Sequence, residues 1–293
     1  MFELTSTDSN QSGSLSPLEC VRRLIAEHGE NAAFVVNISG GKDSLRMLGM
    51  LKELFPIQKM YVVFADTGFE HVKPIPAAEW ALRQAAAFGQ ELHIVRNPNK
   101  TYLEMVERRK MFPSASTRQC TSDLKRGPVH RFIRHLKETI IINCTGIRAE
   151  ESTARSKQNP WKFDETLSKA GRTVWNWMPI FHESLESVLH WHWQTGNPLH
   201  PVYAPDYHAD GTVGGYLHRF SCRLCIFATE ADIRAIYIHD REAFDLVSDL
   251  ERRIGFTMRH GKSLFQIIGQ QDERDQTPPT LLFDFAQPSP CSL

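Results

Sequence analysis

Short apolar runs alternate along this chain with stretches in which apolar residues recur every three or four positions. Residues 33–38, 60–65, 91–95 and 139–144 are short and mostly apolar, and each reads as a strand. Leu45, Leu48, Leu51 and Leu54 follow the first run at helical spacing, and residues 75–88 and 122–137 read as further helices. Upstream, Ser16 and Pro17 suit an N-cap and first helical position, so a helix is predicted from there to about residue 28, stopping at Gly29.

Strands alternating with helices predict an α/β fold with a doubly wound, mostly parallel sheet. Right-handed crossovers bring the carboxyl ends of the strands to one edge, where ligands bind. Three strands end there in polar or glycine-bearing turns: residues 39–44 (SGGKDS), 65–68 (ADTG) and 145–148 (TGIR). The pattern changes after about residue 180. Helical segments near 183–193, 229–239 and 241–254 flank a stretch, 194–221, rich in Gly, Pro and aromatic residues. The expected organisation is a disordered N-terminus over 1–15, a nucleotide-binding α/β domain over 16–180, a helical subdomain over 181–270 and a loosely ordered tail over 271–293.

Composition narrows the class. The chain of 293 residues is 41% hydrophobic and 23% charged, as in ordinary globular proteins. No apolar run approaches the roughly 20 residues that cross a bilayer, and the first residues lack the basic and apolar regions of a secretory signal. A cytoplasmic location is the expectation. The formal net charge is zero, which gives the whole molecule no strong pull on nucleic acid. Between Arg108 and Lys137, however, nine Lys and Arg residues meet one acid, Asp123, so a local basic face suits an anionic partner.

The turn at 39–44 carries the clearest chemistry. Small residues let backbone approach an anion, and the helix that follows offers unpaired N–H groups. Lys42 adds a point charge, and Ser39 and Ser44 add hydroxyls. The segment is not a Walker A loop, because Gly41-Lys42 is followed by Asp43 rather than Ser or Thr.

SGGKDS after a buried strand resembles the signature of the PP-loop, or N-type, ATP pyrophosphatases, which cleave ATP between the α and β phosphates. Within that superfamily the chain resembles the phosphoadenosine phosphosulfate reductase family. The likeness rests on Ala65-Asp66-Thr67-Gly68, on Arg118-Gln119-Cys120-Thr121 with Leu124-Lys125 and Pro128, and on Gly146-Ile147-Arg148 through Ser152 with Arg155. Met178-Pro179-Ile180, the helix carrying Trp191, Leu199 to Tyr203, and Cys222 with Cys225 extend it, so it covers about residues 31–230. Two departures favour ATP use over sulfonucleotide reduction. Lys42 is present where the reductases generally lack a lysine, and the only cysteine near the C-terminus, Cys291, lies in SPCSL rather than in an ECGLH-like motif.

The resemblance implies roles. Ser39, Gly40, Gly41, Lys42, Asp43 and Ser44 cradle the phosphates, with Lys42, Asp43 and Ser44 catalytic and Asp43 a candidate Mg²⁺ ligand. Asp66 and Thr67 lie near the nucleotide, and Gly146 and Arg148 contact ribose or phosphate; a salt bridge from Arg148 to Glu150 or Glu151 is the plainer alternative.

Of six cysteines only Cys222 and Cys225 are close in sequence, at a spacing that lets two thiolates reach one metal. The resemblance adds Cys120 as a third ligand and implies a [4Fe–4S] cluster with one open iron. Zn²⁺ with a histidine such as His218 is the alternative. Cys144 reads as a core residue, Cys20 as a structural helix residue and His200 as a loop residue, while the helix bearing His190, Trp191, His192 and Trp193 reads as aromatic packing.

The expected activity is ATP-dependent adenylation with pyrophosphate release, coupled to sulfur transfer from an unidentified donor onto a nucleic-acid or small-molecule acceptor. A sulfonucleotide reductase is one alternative. A nucleotide- or nucleic-acid-binding module without turnover, using the basic face, is the other.

Overall fold

The computed structural model describes residues 15–208, 215–220 and 222–270. Residues 1–14 and 271–293, on which the expected disordered N-terminus and loose tail fall, lie outside the described residues, as does Cys291.

In chain order the elements are α1 (Pro17–His28), β1 (Ala32–Ile38), α2 (Lys42–Leu54), β2 (Met60–Asp66), α3 (Ala77–Ala87), β3 (Leu92–Arg96) and α4 (Tyr102–Arg109). A π-helical stretch, Cys120–Arg126, then leads into α5 (Gly127–Arg134). β4 (Ile140–Thr145), α6 (Thr153–Ser156), β5 (Trp161–Phe163), β6 (Thr173–Trp177) and α7 (Leu185–Thr195) follow. The C-terminal helices are α8 (Glu230–His239), α9 (Arg241–Ile254) and α10 (Leu264–Ile268).

The six strands form one sheet in the order β3-β2-β1-β4-β6-β5. All neighbours run parallel except β5, which pairs antiparallel with β6. The fold is the doubly wound α/β class that the alternation predicts. Successive residues of β1 face opposite sides, as strand geometry requires. Phe34, Val36 and Ile38 pack with Leu45, Leu48 and Leu51 of α2 and with Ala77, Ala81 and Ala85 of α3. Ala33 and Val35 face the other way, onto Val129 and Ile133 of α5. Burial on both faces explains why the central strands read as continuous apolar runs.

Three regions depart from the sequence reading. The helix expected over 122–137 is two pieces, because the backbone widens into π geometry over Cys120–Arg126 before α5 begins. α4 was not predicted: it buries only Tyr102, Met105 and Val106, and Arg108 and Arg109 dilute its pattern. Its start is nonetheless encoded, since Thr101 and Glu104 form a capping box. β5 and β6 were also missed, being short and only half-buried; the stacked rings of Trp161 and Trp175, 4.7 Å apart, join them.

A second core lies beside the sheet. Residues of α8, α9 and α10 pack with Tyr102, Met105 and Val106 of α4, with Leu124, and with the Cys222–Ala228 segment. Arg223 fixes that segment: its buried guanidinium donates to both oxygens of Asp240, each at 2.6 Å. Glu251 accepts from the amides of Met258 (2.7 Å) and Leu264 (3.0 Å), which ties α9 to α10. α7 instead lies along α2. Among the described residues no helix is long and apolar enough to cross a membrane.

Candidate functional site

The chain moves from β1 outward to β2 and β3, then returns to place β4 on the other side of β1. The carboxyl ends of β1 and β4 therefore bound the crevice in which such sheets hold ligands. The turn at 39–41 and the start of α2 occupy one wall. Gly40 has φ +83°, a left-handed conformation that favours glycine. Gly146, just beyond β4, forms the other wall, and a Cβ there would stand 3.0 Å from the Asp43 carbonyl carbon and oxygen. Glycine is required because the two walls touch through backbone.

Within the turn the hydroxyls serve the backbone. The Ser39 amide donates to Ser44 Oγ (3.2 Å), and Ser44 Oγ donates to the Gly41 carbonyl (2.8 Å). No side chain caps α2 at Gly41, and the Lys42 amide donates to Tyr203 Oη at 3.2 Å. That phenol oxygen thus stands before a helix N-terminal amide, where anions bind.

Charge concentrates at the same point. Asp43 accepts from Lys42 Nζ at 3.0 Å and from Arg148 Nε at 2.6 Å. Lys42 is 7% exposed and Arg148 4%. Burial pushes the Asp43 carboxyl upward, but Lys42 and Arg148 outweigh it and hold it below the usual carboxylate range. Arg148 also pairs with Glu150, and its amide donates to Glu151. Arg148 is thus salt-bridged, and through Asp43 it also reaches the turn at 39–44. The Lys42 ammonium lies 5.6 Å from the ring centres of both Tyr203 and Tyr207, within cation–π range.

The turn is covered by Phe220 and His71, which the sequence reading left out, and by His200, which it placed only in a loop. A Cβ on Gly40 would come within 2.9 Å of the Phe220 ring. Phe220 packs against His200 at 4.6 Å and His71 at 5.3 Å. His200 lies in a loop, as expected, but it is fully buried; its Nδ1 accepts from the Val202 amide. Burial draws both imidazoles down to about 4. Around them His71 Nδ1 and Nε2, Trp80 Nε1 and Gln84 Oε1 are buried without a hydrogen-bond partner. The helix read as aromatic packing also reaches the site, since His192 is buried with its Nε2 2.9 Å from the Lys42 carbonyl oxygen. Trp193 on that helix is 42% exposed, so it is not core.

Asp66 and Thr67 direct their side chains elsewhere. Asp66 pairs with Arg96 at 3.3 Å, and Thr67 Oγ1 donates to Glu70 at 2.5 Å. The Thr67 carbonyl accepts from the Tyr102 amide at 2.8 Å, which links this turn to α4.

Cys222 is buried in the second core, with Cys120 and Cys225 packed against it. Burial raises the Cys120 thiol and pushes Cys222 up to about 12. Lys125 lies close enough for the three sulfurs and Glu70 to raise its pKa, Cys222 contributing most. Tyr102 reaches the same place, and its buried hydroxyl has no hydrogen-bond partner. Among the described residues no three His, Cys, Asp or Glu side chains are disposed to hold a metal ion. The donor set itself suits an iron–sulfur group: three thiols for iron, and an ammonium and a phenol hydroxyl to bond to sulfur. His218, the candidate zinc ligand, is exposed and lies 3.8 Å from Asp232 Oδ1. Cys144 is fully buried in the sheet core, as its strand position implies. Most of the basic run faces solvent; Arg118 instead stacks over Phe227 at 4.8 Å. Asp123, its only acid, accepts from Lys100 Nζ at 2.6 Å.

The phosphoadenosine phosphosulfate reductase domain matches residues 33–218, from the first strand to the edge of the Phe220 cover. The chain belongs to that family. A curated relative, an uncharacterized 37.8 kDa protein in the gpa 5′ region of Escherichia phage 186, is 24% identical over 283 residues, covering 80% of this chain and 79% of its own. Among solved structures the chain is similar to the U34-tRNA thiolase NcsA from Methanococcus maripaludis with its [4Fe–4S] cluster. The TM-score is 0.44 at 16% identity, over 84% of this chain and 80% of that one. It is also similar to an NH3-dependent NAD synthetase from Campylobacter jejuni in complex with a nitrate ion. Here the TM-score is 0.41 at 14% identity, over 87% of this chain and 94% of the other.

Two outcomes follow from the packing. Gly146→Ala forces the start of α2 away from β4 and is expected to cost about 1–3 kcal/mol, measured by urea unfolding. The depressed pKa values of His71 and His200 predict that stability is fully present above pH 6.5 and lost as pH falls toward 4, because the unfolded chain takes up protons first. The loss is on the order of 3 kcal/mol for each histidine. Unfolding curves across that range should be flatter for His71→Phe.

Proposed function

We propose that the protein binds Mg–ATP at residues 39–44, cleaves the bond between the α and β phosphates and transfers AMP to an acceptor oxygen. Lys42 carries this reading. It is a buried cation at the amide end of α2, in a family whose sulfonucleotide substrates have no β,γ-pyrophosphate to neutralise. Ser39, Gly40, Gly41 and Ser44 cradle the phosphates with backbone amides and hydroxyls. Asp43 orients Lys42 and Arg148 and is the candidate Mg²⁺ ligand, its oxygens suiting that hard ion. Gly146 and Arg148 line the side of the crevice that takes the ribose or a phosphate. Asp66 and Thr67 bound the nucleotide through their backbone at the end of β2, their side chains being held by Arg96 and Glu70.

The acceptor oxygen attacks the α-phosphorus in line, and pyrophosphate leaves with the α–β bridging oxygen. Lys42 and the α2 amides neutralise the charge that builds on the departing oxygens, so the protein contributes mainly position and fixed charge. Tyr203 Oη must leave the Lys42 amide, and Phe220 must leave Gly40, for a polyphosphate to reach the turn. The adenylated oxygen is then a good leaving group, and a sulfur nucleophile displaces AMP. Cys120, Cys222 and Cys225 are the residues to hold a [4Fe–4S] cluster, which when bound supplies an iron with an open position for sulfur. The acceptor, nucleic acid or small molecule, is reached past the basic face. The cytosol suits both the thiols and the ATP requirement.

Lys42→Ala is expected to lower ATP:pyrophosphate exchange by at least a hundredfold, measured with radiolabelled pyrophosphate, while leaving the unfolding midpoint close to that of the wild type. Exchange at the wild-type rate in that variant would remove Lys42 from the phosphate site, and thioredoxin-dependent release of sulfite without ATP would replace this reading with a reductase.

A further inference from the structure

Tyr102 opens α4 and is 2% exposed. Its ring stacks on Phe69, with centroids 5.4 Å apart and planes at 11°. The Phe69 carbonyl accepts from the Arg223 amide at 2.9 Å, and Glu70 bridges backbone to backbone with Cys222. The Tyr102 amide is itself bonded to the Thr67 carbonyl. The phenol is thus held by fixed backbone one residue layer from the Cys222–Cys225 segment, and the titratable groups that bear on its hydroxyl are the three thiols. In this setting the hydroxyl has no hydrogen-bond partner. A buried hydroxyl left unpaired is destabilising, and phenylalanine would fill the same stacked position without that penalty. Packing accounts for the ring but not for the oxygen.

We infer that the Tyr102 hydroxyl is a hydrogen-bond donor to the sulfur of the group held by Cys120, Cys222 and Cys225. The inference rests on the iron–sulfur reading proposed above and adds a positioning residue to it. O–H donation to thiolate or sulfide stabilises the reduced, more negative state of a cluster and raises its potential. Lys125 supplies charge to the same sulfurs from a long stem with several rotatable bonds, whereas the phenol direction is fixed by the stack.

The test compares wild type with Tyr102→Phe after anaerobic reconstitution of the full chain with iron and sulfide. Iron and sulfide content, a potentiometric titration followed by absorbance, and thermal unfolding are read for loaded and metal-free protein. Equal iron in both proteins is expected, with the reduced state of the variant disfavoured about tenfold, a fall of about 59 mV in midpoint potential for a one-electron couple. The metal-free variant should unfold at the same or a higher temperature than metal-free wild type, and the loaded variant at a lower one than loaded wild type. Equal potentials, or a metal-free variant that is less stable, would overturn the inference and leave the cluster reading standing. Wild type that takes up no iron would overturn both.

Discussion

One carboxylate, Asp43, draws two cations together at the point where the sheet changes direction. Lys42 belongs to the helix that follows β1, Arg148 to the loop that follows β4, and neither strand pairing alone would fix the distance between those walls. Two positive groups this close repel unless an anion lies between them, and burial deepens both the repulsion and its relief. Asp43 is that anion here, and the backbone contact at Gly146 keeps the walls from parting. With Glu150 on the far side of Arg148, two cations face two carboxylates and the charges balance.

The second core turns the opposite chemistry inward. Cysteine thiols are pushed toward their neutral form by burial, and a lysine, a glutamate and a tyrosine share the space with them. Uptake of a metal group there would release protons as the thiols ionise, so its affinity should rise with pH. Arg223 anchors this region to the α8–α9 junction through Asp240, a buried bidentate pair whose loss on one side would leave a charge uncompensated.

Much of the sheet was legible because its chemistry is contiguous. The run 33–38 and the turn at 39–44 are neighbours in sequence, and burial on both faces makes central strands apolar throughout. Cys222 and Cys225 stand out in the sequence for the same reason, being neighbours along the chain. Tyr203 and Phe220 were not, although Tyr203 lies in a segment that resembles the family, because nothing in the spacing of a distant aromatic says that it will rest on Gly40 or take the Lys42 amide. His192 shows the limit of a composition argument: flanked by two tryptophans it reads as packing, yet its position on α7, which lies along α2, turns it onto the carbonyl of Lys42. The wide turn at Cys120 escaped for a geometric reason, since π and α helices share a similar pattern over one turn. α4 was hidden by its arginines, while its capping box stood in plain sequence.

Phe220 and Cys222 are two residues apart. The first rests on Gly40 in the turn after β1 and the second lies in the sulfur-rich core, with Arg223 pinning the backbone immediately beyond. The cover of Gly40 and the thiol pair therefore belong to one stretch of chain, anchored just past Cys222 by the buried Arg223–Asp240 pair.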